Sequence, residues 1–440
     1  GTMQLTEPQA GSDLSEVRTV AVPKEDHYLI AGNKIYITWG DHDMAENIVH
    51  LVLARTPEAP PGVKGISLFI VPKIIVDESG KLGDTNDVRC LSIEKKLGIH
   101  ASPTCVMSFG DNGGAKGYLV GEENCGLQYM FTMMNFARIE VGIEGMAISD
   151  RAYQRALSYS KQRIQGKGLE GKKASEKVTI INHPDVRRML MLMKAHCESM
   201  RAMCSQACTH LDHALSNPDQ QQRQYHKSMF DLLTPVVKGW CTEQSVELAS
   251  LGIQVHGGMG FVEETGAAQY FRDARITPIY EGTTGIQAND LMGRKIAFEG
   301  GKTIKMLISE MEATIGVIQK NNPSQRSSDM SQEFDDAVNS LRESVDWLIE
   351  TFGAGRERAF AGSVPLLKLI GVVFGGWLML KSAAIAEEKL EQDGPDKEFY
   401  ESKLLTAKFF MEHIVVMHDS LKRQIVLGAD SVLALKEGQF

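Results

Sequence analysis

"YLIAGNKIYITWG", Tyr28 to Gly40, sets the character of the first part of the chain. Apolar and polar residues alternate with the period of a half-buried strand, and Gly32-Asn33 reads as a turn between two such runs. Outward from it the pattern continues in "NIVHLVLAR" (Asn47 to Arg55), "GISLFIVPKIIV" (Gly65 to Val76) and "TCVMSFG" (Thr104 to Gly110). These strands predict a β-domain over residues 1–120, with strands from Asp26 to about Leu119. From Gly126 the period changes. "SDRAYQRALSYSKQRI" (Ser149 to Ile164) and "HPDVRRMLMLMKAHCESMRAMCSQACTHL" (His183 to Leu211) place apolar residues three and four apart, which predicts a helical domain over 121–298. Residues 299–440 are again helical by period, with "NNPSQRSSDMSQ" and "EQDGPD" as the separating linkers. That last segment carries no catalytic constellation and reads as a bundle packed on the core or on another subunit. The expected class is α+β.

With 440 residues, 43% hydrophobic and 23% charged, the chain has globular composition and enough length for two or three domains. A net charge of -9 and the lack of a Lys/Arg cluster argue against nucleic acid as a partner. "LIGVVFGGWLML" (Leu369 to Leu380) is too short and glycine-rich for a membrane span and reads as a core helix. The seven cysteines, Cys90, Cys105, Cys125, Cys197, Cys204, Cys208 and Cys241, form no CxxC pair, which fits free thiols in a reducing, cytoplasmic setting. Cys197, Cys204 and Cys208 share one helix face, a packing arrangement, and no metal site is expected. The opening "GTMQLTEPQAGSD" has neither an initiator methionine nor a signal peptide and reads as the middle of a longer protein.

Four stretches could carry chemistry. "LTEPQAGSD" (Leu5 to Asp13) offers hydroxyls and bare backbone N–H groups to a planar ligand or phosphate, or is a solvated loop. "KIYITWG" (Lys34 to Gly40) has aromatics that could flank a flat ring, or fill a β-core. "VHGGMGFVEE" (Val255 to Glu264) lacks the GxGxxG spacing and the strand/helix alternation of a nicotinamide site. In "IYEGTTGIQ" (Ile279 to Gln287), Thr283 or Thr284 can cap the helix "TGIQANDLMGRKIAF", and Glu281 lies just before it. A carboxylate there either settles in the helix dipole or, closed into an apolar pocket, has its pKa raised and becomes a base.

Taken together, "LTEPQAGSD", "KIYIT", "KLGIHASPT", "NFARIEVG", "QVHGGMGF" and "RDARITPIYEGTTGIQ" occur in an order that resembles the acyl-CoA dehydrogenase family. The resemblance covers about Gly1 to Lys295. "SKQRIQGK", "HPDVRRMLM" and "EETGAAQYFRDARITPIYEGTTGIQANDL" resemble its long branch with an extra C-terminal helical region. It implies a β-barrel-like middle domain, then a dehydrogenase-type helical bundle and an additional C-terminal helical domain. Family members also begin with a helical domain, and this chain starts just after that domain would end.

The resemblance implies FAD as cofactor and dehydrogenation of an acyl-CoA thioester to the trans-2-enoyl-CoA, with Glu281 as the base for the α-proton. It implies that Thr6, Ser12, Tyr36 and Thr38 lie at the flavin, Ser12 also near the substrate. Arg163, Gln165, Gln254, Gly257 and Gly258 match positions that hold the adenosine-diphosphate half of FAD, generally across a subunit interface. Thr283 and Thr284 match flavin contacts, and Gly282, Arg138 and Asn135 substrate contacts, with Asn135 standing where the family has an aspartate. A homodimer or homotetramer and an electron-transfer flavoprotein as acceptor follow from the same resemblance. An acyl-CoA oxidase, which would return electrons to oxygen, and a non-catalytic oligomerisation fragment are the competing readings.

Overall fold

Where a turn is expected at Gly32-Asn33, the backbone runs straight on: Tyr28–Thr38 is one strand. A Cβ on residue 32 would come within 2.5 Å of the Thr19 hydroxyl oxygen, so this glycine permits close packing of the neighbouring segment and does not reverse the chain. The computed structural model describes residues 1–170, 174–320, 324–392 and 394–440, in two compact units, Gly1–Ala137 and Arg138–Phe440.

The strands of the first unit are β1 (Thr2–Gln4), β2 (Val20–Pro23), β3 (Tyr28–Thr38), β4 (Val49–Ala54), β5 (Ser67–Pro72), β6 (Ile74–Val76), β7 (Leu82–Thr85), β8 (Val88–Ile93), β9 (Thr104–Phe109) and β10 (Ala115–Leu119). Eight of them form one sheet in the order β1-β4-β5-β10-β3-β9-β8, with β2 on β3, while β6 and β7 make a separate ribbon. Pairing is antiparallel except between β1 and β4. The barrel-like domain implied by the resemblance is, among the described residues, a sheet whose pairing path ends at β1 and β8. Ile30, Ile37, Phe69, Val71, Met107 and Phe109 fill its core.

Strand structure begins at Thr2 and not at Asp26. The buried positions of β1 are polar, Thr2 and Gln4, and they meet His50 of β4, with Thr2 Oγ1 2.7 Å from His50 Nδ1. Alternation of apolar residues therefore gives no sign of this strand.

A long helix, α1 (Gly126–Gln162), carries the chain into the second unit. There α2 (Pro184–Ser216), α3 (Gln220–His256), α4 (Ala267–Ala274) and α5 (Thr284–Asn289) are followed by α6 (Lys302–Lys320), α7 (Gln325–Ala354), α8 (Arg356–Ala361), α9 (Ser363–Glu391), α10 (Lys397–His413) and α11 (His418–Val432). One continuous core joins Met193, Met200 and Trp240 to Phe334, Phe374 and Phe410. The C-terminal helices thus share a core with the preceding bundle. At one contact a Cβ on Gly371 of α9 would lie 2.6 Å from the Trp240 ring of α3.

"LIGVVFGGWLML" lies within α9, which corrects the reading of its length. This helix of 29 residues is long and apolar enough to cross a membrane, but its apolar stretch is 83% buried among the other helices. Of the expected linkers, residues 321–323 and 393 lie outside the described residues. The serine-rich remainder of the first is helical from Gln325, because the Ser324 side chain caps α7 by accepting from the Ser327 N–H at 3.3 Å.

Candidate active site

The chain between α4 and α5 is pinned at several points. Thr277 donates its hydroxyl to Ala274 O at 2.8 Å, and the Thr284 N–H donates to Pro278 O at 3.0 Å. Of the two candidate caps, Thr283 is the one used: its hydroxyl accepts from the Ile286 N–H at 3.3 Å. The helix expected from Thr284 to Phe298 is present as α5 continued by a π-wound segment, Asp290–Ala297. Such wide turns are rare and gather at functional sites.

Immediately before the cap, Glu281 and Gly282 are both left-handed, with φ of 56° and 90°. For a glutamate this conformation costs on the order of 1 kcal/mol and persists only where the surroundings enforce it. Two buried side chains supply the restraint. Lys238 Nζ of α3 donates to Gly282 O at 2.6 Å, and Gln287 Nε2 of α5 donates to Glu281 O at 3.1 Å. A Cβ on residue 282 would sit 2.6 Å from Gln287 Nε2, which leaves room only for glycine.

The Glu281 side chain is half-buried, and its carboxylate accepts no hydrogen bond among the described residues. Burial raises its pKa, while the charges of Arg138 and Lys238 pull the value back. Arg138, on α1, is itself buried, and that burial lowers its pKa against the attraction of Asp290 and Glu281. The site therefore sets a carboxylate that favours its proton beside two cations that oppose it. Around this centre Tyr280 donates its hydroxyl to Glu144, and Thr284 donates its hydroxyl to Glu243 at 2.5 Å. Lys238, Glu144 and Glu243 escape the sequence reading. The one usable signal was a single lysine inside the otherwise uncharged run "TPVVKGWC" (Thr234 to Cys241).

Other expected site residues fall in four places. In the first unit Thr6 lies beside β3, its carbonyl accepting the Ile35 N–H at 2.9 Å. Further along β3 a bulge between Lys34 and Ile37 leaves Tyr36 left-handed and 63% exposed, with Thr38 and Ser12 exposed too. In the second unit Arg163 precedes a short ribbon, β11 (Ile164–Lys167) paired with β12 (Lys177–Thr179), where Gln165 O accepts from His183 Nε2 at 2.7 Å. Gln254, Gly257 and Gly258 lie exposed at the end of α3, and a Cβ on either glycine would meet nothing within 4 Å. Asn135 is half-buried on α1, one turn before Arg138. An exposed aromatic on a bulged strand suits a flat ring, and open glycine backbone suits a pyrophosphate, so these residues fit FAD. Cys197 and Cys204 are core residues, and among the described residues no three His, Cys, Asp or Glu side chains cluster as metal ligands.

Comparison with known families accounts for this layout. Residues 2–112 match the acyl-CoA dehydrogenase middle domain, 124–296 the acyl-CoA dehydrogenase C-terminal domain, and 307–436 the acetyl-CoA dehydrogenase C-terminal-like domain. The chain belongs to the acyl-CoA dehydrogenase family, FAD-dependent oxidoreductases that act on acyl-CoA. It is 51% identical to 3-methylmercaptopropionyl-CoA dehydrogenase of Ruegeria pomeroyi, over 98% of this chain and 72% of that protein. It is 36% identical to the broad-specificity linear acyl-CoA dehydrogenase FadE5 of Mycobacterium tuberculosis, over 100% of this chain and 74% of that one. Among solved structures, an acyl-CoA dehydrogenase of Bacillus anthracis complexed with FAD shares the fold, with a TM-score of 0.76 and 19% identity over 98% of this chain and 71% of that chain.

Proposed function

We propose that the protein converts an acyl-CoA to its trans-2-enoyl-CoA, with Glu281 as the base that removes the α-proton. The observation that carries this reading is a half-buried glutamate, forced into a left-handed turn beside Arg138 and Lys238, whose carboxylate accepts no hydrogen bond among the described residues. Thr6, Ser12, Tyr36, Thr38, Arg163, Gln165, Gln254, Gly257, Gly258, Thr283 and Thr284 would hold FAD. When bound, FAD supplies the acceptor for the hydride that leaves the β-carbon.

The Glu281 carboxylate takes the α-proton as the β-hydrogen departs with its electron pair, and the α,β double bond forms. Burial makes the carboxylate a better base than one in water, while the charges of Arg138 and Lys238 limit that rise. The Glu281 N–H donates to no other group among the described residues, so it is available to the thioester oxygen as charge develops there. A donor in that position generally contributes about 3 kcal/mol to an acyl-transfer or enolisation barrier. Arg138, Asn135, Ser12 and Gly282 would contact the substrate.

The identity to 3-methylmercaptopropionyl-CoA dehydrogenase makes a short acyl chain with a thioether the first substrate to try, beside plain fatty acyl-CoAs. We further assign the protein to fatty acid metabolism as a cytoplasmic homo-oligomer that passes electrons to an electron-transfer flavoprotein. Anaerobic addition of a panel of acyl-CoAs to the FAD-loaded protein tests the reaction. Loss of flavin absorbance with at least one of them, abolished in Glu281→Gln, is expected. Equal bleaching in Glu281→Gln would remove Glu281 from the role of base.

A further inference from the structure

Lys238 stands in the middle of α3 between Val237 and Gly239, fully buried. An ammonium group there is costly unless something in the fold uses its charge. Its neighbours along the helix, Val236, Val237, Trp240 and Cys241, are apolar core residues that offer the charge no side-chain acceptor. Its one hydrogen bond among the described residues, at 2.6 Å, goes to Gly282 O, the carbonyl next to Glu281.

We propose that Lys238 is the positioning residue of the catalytic base: it locks the left-handed Glu281–Gly282 turn through Gly282 O and places a positive charge beside the Glu281 carboxylate. The inference rests on the assignment of Glu281 as base. Several observations converge on it. The turn is strained at a non-glycine residue, and Lys238 and Gln287 are the buried side chains that bond its carbonyls. Other acids near Lys238 are already engaged: Glu144 accepts from Tyr280, and Glu243 accepts from Thr284. Glu281 is the remaining acid that faces it, and Arg138 from α1 is the other cation facing Glu281. Burial brings the Lys238 ammonium down to about 8, within reach of the pH range in which such an enzyme works. The same side chain thus sets where the carboxylate points and how readily it loses its proton.

The sign of the effect follows from the charge. With Lys238 neutralised, Glu281 keeps the desolvation that raises its pKa and loses one of the two cations that lower it, so it holds its proton to higher pH.

The test uses the FAD-loaded protein with Lys238→Met, which removes charge and donor; Lys238→Gln, which keeps a donor; and Lys238→Arg, which keeps both. Circular dichroism melts establish that each is folded, and Lys238→Gln supplies the charge-loss measurement if Lys238→Met does not fold. Anaerobic single-turnover bleaching by saturating acyl-CoA is followed from pH 5.5 to 9. In the Met and Gln variants the acid limb moves up by about one pH unit, acyl-CoA affinity changes by less than about threefold, and Lys238→Arg returns the limb toward its original position. An acid limb unmoved in folded Lys238→Met or Lys238→Gln would overturn the proposal, since a purely structural lysine lowers the rate equally at all pH. Glu281→Gln is run alongside. Bleaching that survives in Glu281→Gln removes the base assignment itself, whereas bleaching lost there with an unmoved limb in the Lys238 variants removes only the role of Lys238.

Discussion

Glu7 and Lys34 form a buried ion pair whose two members should respond very differently to substitution. Lys34 is 0% exposed and Glu7 4%. Glu7 Oε1 accepts from Lys34 Nζ at 2.8 Å, from the Thr19 hydroxyl at 2.5 Å and from the Thr19 N–H at 3.0 Å. Its Oε2 accepts from the Arg18 N–H at 2.8 Å and from Gln9 Nε2 at 2.6 Å. Among the described residues Lys34 has only Glu7 and Leu5 O as acceptors, the latter at 3.1 Å. Burial alone would raise the Glu7 pKa, but Lys34 and the other donors outweigh it and bring the value from 4.5 to about 2. At about 1.4 kcal/mol per pH unit that difference amounts to roughly 3 kcal/mol of stability held by the ionised carboxylate. For a depressed carboxylate this stability is present above pH 4.5 and is lost as pH falls toward about 2.

Lys34→Met leaves Glu7 with four donors and removes an ammonium that burial already holds down to about 8, so its net cost at pH 7 should stay below about 2 kcal/mol. Glu7→Gln leaves the buried Lys34 ammonium with neutral acceptors alone, the amide oxygen and Leu5 O, and should cost about 3–5 kcal/mol. Urea unfolding of both variants, followed through Trp39 in the same unit, measures the difference. Equal costs for the two substitutions would refute the reasoning. So would a cost below about 1 kcal/mol for Glu7→Gln, since a stranded buried charge cannot be that cheap.

Further outcomes follow from other parts of the structure. Thr283→Ala, which removes the cap of the base helix, should lower stability by about 1 kcal/mol in a thermal melt and slow bleaching without abolishing FAD binding. Gly282→Ala meets both a positive φ and the Gln287 amide at 2.6 Å, so a loss of dehydrogenation of at least tenfold is expected in steady-state assays. Gly371→Leu drives a side chain into Trp240 and should destabilise the helical unit by about 2 kcal/mol or more, read by chemical denaturation. This last outcome measures how far the C-terminal helices depend on the shared core.

Much of the architecture follows from period alone. The long helices were legible because their apolar residues recur every three or four positions over several turns, β3 because its apolar residues alternate, and β4, β5 and β9 because they are short apolar runs of strand length. Failures have specific causes. Gly32 carries the residue type of a turn but serves packing against Thr19, and β1 presents polar residues to its buried face. "SQRSSDMSQ" has linker composition, yet Ser324 makes it the start of α7. At the site, the position of Glu281 before a helix was legible from "YEGTTG", but two opposite pKa effects remained open there. Burial decides between them in favour of a raised pKa, and the cations that oppose it, Arg138 and Lys238, come from α1 and α3, far away in sequence. Lys238 escaped because a single lysine in an apolar helix gives no pattern to count.

The most direct test of the account is exchange of α-protons in heavy water, using an acyl-CoA whose β-carbon carries only methyl groups and has no hydride to give. With the FAD-loaded protein, mass spectrometry should show deuterium entering the α-position, with an acid limb set by Glu281, and no exchange above the uncatalysed rate in Glu281→Gln. Exchange that continues unchanged in Glu281→Gln would contradict the account, because some other group would then be taking the proton.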